Sequence, residues 1–230
     1  MSVFRPFAAL LSLLGLAACA SPVEPLPTPR PDSAEARFVA VAARIEPVAE
    51  AFCRELRRGP KNCDIQIAVD DRPGQAPNAF QTLDGRGRPY VVFTLSLIKM
   101  ARNADELAFV MGHESAHHIA GHIPRRLESA QAGAMLAGVL AAQGGWTPEE
   151  ILQAQAIGAD IGAMRYAQEF ELEADALGSA IALRAGYDPI IGARFFDRLP
   201  DPGQGFLNSH PPNARRKAVV AEVVARASGS

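Results

Sequence analysis

Apolar positions recur every three or four residues from Ser33 to Arg58, where Phe38, Val41, Ile45, Val48 and Phe52 line one helical face. The pattern then changes period. "CDIQIAVDD", Cys63 to Asp71, alternates apolar and polar residues and predicts a strand. "RPYVVFTLSLI", Arg88 to Ile98, is rich in β-branched and aromatic residues and predicts another, with "DGRGRP" between them as a turn or loop. Beyond Ile98 the reading is almost wholly helical. Asn103 can cap a helix in which Asp105 and Glu106 sit at the positive end of the dipole, and Pro124 is expected to end or kink it. A second helix, about Arg126 to Ala142, is Ala/Gly-rich and is expected to be buried or to cover a cleft. Thr147-Pro148-Glu149-Glu150 carries a capping box and opens a third. That pattern runs to Gly186 with a break near Arg165, and an amphipathic helix covers Asn213 to Ala227. The expected class is α+β: a mainly helical domain with a small sheet, over residues 35–230.

The first residues read as targeting. "MSVFRPFAALLSLLGLAACA" has one early Arg and an apolar run from Phe7 to Ala18, short of the roughly 20 residues a membrane-spanning helix needs. Residues 1–18 fit a secretory signal. Leu16-Ala17-Ala18-Cys19 resembles the lipobox of bacterial lipoproteins, in which the cysteine becomes a lipidated N-terminus. In a Gram-negative cell that implies a periplasm-facing protein held at the outer membrane. Residues 19–34 follow as a tether, with five prolines between Ser21 and Ser33. The remaining cysteines, Cys53 and Cys63, are an even pair in an exported domain and are candidates for a disulfide; two free buried thiols are the alternative. A net charge of −2 gives no bulk electrostatic case for nucleic acid.

Four of the five histidines lie in "MGHESAHHIAGH", Met111 to His122. His113-Glu114-Ser115-Ala116-His117 is HExxH on a predicted helix, so both imidazoles share a face and can bind one ion. Zinc suits two nitrogens plus a carboxylate, with one position left for water, and Glu114 is placed to act as base on that water. On a continuous helix His122 would lie about opposite His113, and His118 about 100° from His117; neither is expected to be a ligand. The best third ligand is in "EFELEADALG", where Glu171 and Asp175 are one turn apart. Glu171 would complete the zinc site and Asp175 would orient a ligand histidine. Glu169 and Glu173 face elsewhere and read as a solvated acidic face.

HExxH followed by Glu171-x-Glu173-Ala174-Asp175 resembles the zinc peptidase family of the CAAX prenyl endopeptidases and the HtpX heat-shock proteases, closest to its exported lipoprotein-type members. Asn78-Ala79-Phe80, Asp105-Glu106-Leu107-Ala108, His122 and Ala185-Gly186-Tyr187-Asp188-Pro189 are similar to elements of that family. The resemblance implies a zincin-like fold with the sheet beside the HExxH helix and one Zn2+ per chain. It implies a metalloendopeptidase acting on protein substrates, by analogy misfolded or unassembled envelope proteins. Ser209-His210-Pro211 with Arg216 resembles the family's His-Pro…Arg element: His210 would bind the oxyanion or plug the cleft, and Arg216 would support the oxyanion or Asp175. Read from the residues alone, His-Pro is equally a helix start. The strand Tyr90 to Leu95 could, as an edge, pair with an extended substrate; a plain core strand is the equal alternative. The reading from another class is a non-catalytic or self-inhibited envelope chaperone or assembly factor that keeps the zinc site.

Overall fold

The computed structural model describes residues 32–56, 61–201 and 210–229. The signal sequence, Cys19 and nearly all of the tether lie outside the described residues. Helix α1, Ala34–Leu56, buries Phe38, Val41, Ile45, Ala49 and Cys53, the stripe its periodicity predicts. Cys53 is bonded to Cys63, with Cα atoms 5.6 Å apart, so the disulfide ties the end of α1 to the segment entering the sheet.

The sheet has three strands: β1 (Gln66–Asp70), β2 (Ala79–Leu83) and β3 (Pro89–Thr94), in the order β1-β3-β2. β1 runs parallel to β3, and β2 runs antiparallel to it. One expectation is corrected here, and one open alternative is decided. The strand predicted to reach Ile98 stops at Thr94, whose side chain accepts a hydrogen bond from Leu97 N–H and starts α2, Leu95–Met100. And the stretch around Tyr90 is the middle strand; the edge beside the helices is β2, a strand the sequence reading did not assign. "DGRGRP" is the β2–β3 hairpin turn, with Asp84 accepting from the Arg86 and Arg88 N–H groups and Gly87 at φ 77°.

Helix α3, Ala104–Ala120, runs through the core and is capped by Asn103, as predicted. It ends at Gly121, whose left-handed backbone (φ 71°) stops it, and α4 (His122–Gln143) begins at once. Pro124 therefore does not break α3; it sits in the first turn of α4, where a missing N–H costs nothing. α5 (Pro148–Arg165) returns antiparallel, opened by the Thr147–Glu150 capping box. α4 and α5 pack through glycines: a Cβ on Gly133 would meet Gly158 O at 2.1 Å. Of the two expectations for α4, burial does not hold, because Met135, Leu136, Val139 and Leu140 are exposed, Met135 at 71%, whereas its first turns do border a cleft through His122, Ile123 and Arg126. The pair leaves the body as a hairpin. α6 (Ala167–Arg184) then comes back against α3, followed by α7 (Pro189–Gly192), a 3-10 turn (Ala193–Arg198) and α8 (Asn213–Ser228). None of the described helices is long and apolar enough to cross a membrane.

α3 and α6 touch backbone to backbone. A Cβ built on Gly178 would lie 2.6 Å from His113 N, and one on Gly112 would lie 2.6 Å from Gly178 O. Glycine at both positions sets the spacing of the two helices that carry the predicted ligands.

Candidate metal centre

The close approach of α3 and α6 brings His113, His117 and Glu171 together, with one potential ligand atom from each lying within 4.8 Å of the others. Among the described residues it is the one such group. His117 Nε2 lies 3.0 Å from His113 Nε2 and 3.4 Å from Glu171 Oε1. His113 Nδ1 donates to Asp175 Oδ1 at 2.9 Å, which leaves His113 Nε2 as a bare lone pair facing Glu171 Oε2 at 3.6 Å. A lone pair and a carboxylate aimed at one point can share a cation between them. Two imidazole nitrogens and a carboxylate oxygen are a zinc donor set.

Asp175 is fully buried and holds more than the histidine. Arg216, on α8, reaches it with Nε at 2.7 Å and with a second guanidinium nitrogen at 2.7 Å, a two-pronged ion pair. Burial pushes the Asp175 carboxyl up, but its hydrogen bonds to His113 and Arg216 outweigh that and hold it below the usual range. Of the two expectations for Arg216, support of Asp175 is the contact formed; the same guanidinium is 3.5 Å from Glu171. For Glu171, burial likewise opposes ionisation, and His210, the ligand histidines and Arg216 more than offset it, so it stays a carboxylate. Burial, helped by the neighbouring His113, pushes His117 down to about 3, which keeps the imidazole neutral and able to bind metal.

Glu114 lines the same cleft as His113, His117 and Glu171. Burial raises its pKa to about 7, in the range useful for a general base. His210 places Nδ1 2.9 Å from Glu171 Oε2 and stays largely exposed. His118 is a packing histidine, its Nε2 2.6 Å from Asn62 O.

His122 departs from expectation. A continuous helix would have sent it away from the ligands. The Gly121 break swings it back, so its Nδ1 is 2.8 Å from His117 Nδ1 and its Nε2 3.2 Å from Glu173. Glu173 also takes Arg125 at 2.7 Å, so it is a paired group and not part of a free acidic face. The Gly121-His122 step, a glycine where a helix could turn left-handed, was the available signal. β2 also borders the cleft, through Ala79, Phe80 and Gln81.

The profile described as Peptidase family M48 matches residues 36–224. The chain is 31% identical over 142 residues to the "Beta-barrel assembly-enhancing protease" of Escherichia coli K12, covering 59% of this chain and 28% of that protein. It is 28% identical over 162 residues to the "Mitochondrial metalloendopeptidase OMA1" of Saccharomyces cerevisiae, covering 66% and 44%. To the "Metalloprotease LoiP" of Escherichia coli K12 it is 26% identical over 181 residues, covering 76% and 67%. The chain thus spans under a third of the length of the beta-barrel assembly-enhancing protease. The M48 metal is zinc, which the His113, His117 and Glu171 donor set fits. With that profile running from the start of α1 to the end of α8 and enclosing every residue of the centre, the chain belongs to peptidase family M48.

Proposed function

We propose that this protein is a zinc-dependent metalloendopeptidase of the bacterial envelope, exported by residues 1–18 and anchored through a lipidated Cys19. The observation that carries the activity is the intact Glu114 beside the three-residue donor set, since metal binding alone does not require it. When bound, zinc supplies a Lewis acid for the scissile carbonyl and an acidified water. Glu114, in the cleft beside those ligands, would act as general base on an attacking water and hand the proton to the leaving amine. Asp175 and Arg216 keep His113 oriented, and His210 is placed to meet charge on the carbonyl oxygen.

The geometry of β2 supports an extended substrate. Thr94 N–H bonds to Asn78 O and Asp84 N–H to Arg88 O, so the even-numbered residues of β2 pair with β3. In an antiparallel ladder the alternate residues then point their N–H and C=O groups outward. Ala79 and Gln81 therefore turn their backbone groups to the cleft edge, where the Gln81 N–H already reaches the Glu114 carboxyl, and a peptide laid along Ala79 would become a fourth strand beside the metal centre. Such recognition reads backbone more than side chains and favours unfolded segments. By analogy with the relative named for β-barrel assembly, the substrates are unassembled or misfolded envelope proteins.

The contact of His210 with Glu171 favours one second reading, a self-inhibited protease whose His210 blocks the cleft. Zinc content and casein cleavage are measured for wild type, Glu114→Gln and His210→Ala. One zinc per chain with cleavage lost in Glu114→Gln supports the peptidase. Cleavage that appears only in His210→Ala supports the blocked form. Zinc with no cleavage in any of the three favours a binding or assembly factor, and a chain that binds no zinc refutes the proposal.

A further inference from the structure

We infer that His122, held by Glu173, is a positioning residue that fixes the metal-binding tautomer of His117; this rests on the zinc reading above. His122 is buried, at 4% exposure, and stacks on Phe170 with ring centroids 4.6 Å apart and 12° between planes. Its place is therefore fixed by packing, and its two nitrogens have one partner each: Glu173 Oε2 at 3.2 Å on Nε2 and His117 Nδ1 at 2.8 Å on Nδ1.

The polarity of this chain of contacts follows from its end. Glu173 is a carboxylate that also accepts from Arg125, so it can only accept from His122. The neutral His122 then carries its hydrogen on Nε2 and has a bare Nδ1. That nitrogen must accept, so His117 donates from Nδ1. A neutral His117 with its hydrogen on Nδ1 has a bare Nε2, the atom that faces His113 and Glu171. Reversing any link sets a lone pair of His122 against the Glu173 carboxylate, or puts a hydrogen on the His117 nitrogen that must bind metal.

The two ligand histidines are thus oriented by different routes. Asp175 holds His113 directly from α6. Glu173, two residues before it on the same helix, points to the other side and reaches His117 only through His122. The left-handed turn at Gly121 is what makes the second route possible, because it returns the chain toward His117 within one residue. Arg125, one turn along α4, stacks its guanidinium over Phe170 at 4.3 Å while holding Glu173, which closes the assembly.

The test is zinc affinity of the purified full chain, by competition with a chromophoric chelator, alongside thermal unfolding of the metal-free form. His122→Phe keeps a flat ring to stack on Phe170 but removes the acceptor. His122→Gln restores the polarity, with its amide oxygen accepting from His117 and its amide nitrogen donating to Glu173. Loss of a partner of this kind lowers metal affinity about 10–100-fold. The expected result is that loss in His122→Phe, recovery of most of it in His122→Gln, and no further loss when Glu173→Ala is added to His122→Phe. Wild-type affinity in a folded His122→Phe overturns the inference. If His122→Phe does not fold, Glu173→Ala alone decides: its side chain is 48% exposed, and undiminished zinc affinity there overturns the inference equally. A wild-type chain that binds no zinc refutes the zinc reading itself, which separates the two failures.

Discussion

Adding one methyl group at Gly178 tests the idea that backbone contact between α3 and α6 sets the metal geometry. A Cβ there would lie 2.6 Å from His113 N and 2.8 Å from both Gly112 C and His113 Cα, where ordinary contact begins near 3.4 Å. The blocking atoms are backbone, so no rotamer change relieves them, and α6 must retreat by about 0.8 Å. Overpacking of this kind costs up to about 3 kcal/mol, and the better helix propensity of alanine returns about 1 kcal/mol. The net loss of about 2 kcal/mol lowers the melting temperature of a chain this size by about 4–8 °C. The same retreat would stretch the 2.9 Å bond between His113 and Asp175 beyond hydrogen-bonding range. Gly178→Ala should therefore also bind zinc at least about tenfold more weakly. Differential scanning calorimetry and chelator competition read the two effects, with Gly85→Ala, which meets nothing within 4 Å, as the control. A Gly178→Ala protein that melts with wild type and binds zinc equally well would refute the account of the helix contact.

Further outcomes follow from the same site. Burial raises Glu114 to about 7, so its protonated form is the one the metal-free fold favours. The stability it contributes is complete below its ordinary value of 4.5 and is lost as pH rises through 7. Metal-free Glu114→Gln should then melt above metal-free wild type at pH 8 and with it near pH 4.5; equal melting at both would contradict the burial argument. Arg216→Met strands Asp175 without its two-pronged partner, and losing one member of a buried pair costs about 3–5 kcal/mol; urea unfolding within about 1 kcal/mol of wild type would show that Asp175 does not depend on it. Replacing Cys53 and Cys63 together by alanine opens a short loop and should cost about 3 kcal/mol in the same assay, and a loss near zero would mean the unfolded chain is not constrained by that bond.

The ligand set was legible because it is written in helical periods. His113 and His117, and Glu171 and Asp175, are each one turn apart, and that spacing survives whatever surrounds it. The caps at Asn103 and Thr147 were legible for the same reason: each depends on residues within one turn. What failed was non-local. Nothing between residues 66 and 94 says that β3 would sit between β1 and β2, because strand order is decided by which faces pack on α3. Ala79–Leu83, as long as β1, was missed because Gln81 and Thr82 side by side break the apolar–polar alternation. The fate of His122 depended on whether Pro124 or Gly121 would end the helix. Proline was the louder signal, but its place in the first turn of α4 made it harmless, and a single positive φ at Gly121 redirected the imidazole.

The helical hairpin of α4 and α5 leaves the domain at Gly121 and comes back at Tyr166. The two halves of the metal centre meet through Gly112 and Gly178, within α3 and α6 themselves. The segment between them is therefore an excursion, whose far end the ligand geometry does not feel. Lengthening a loop costs only the logarithm of its length in closure entropy. Beyond the first turn of α4, which carries His122 and Arg125, this protein can accordingly vary, extend or exchange that arm without rebuilding its chemistry, which separates the part of the chain free to diversify from the part that must stay fixed.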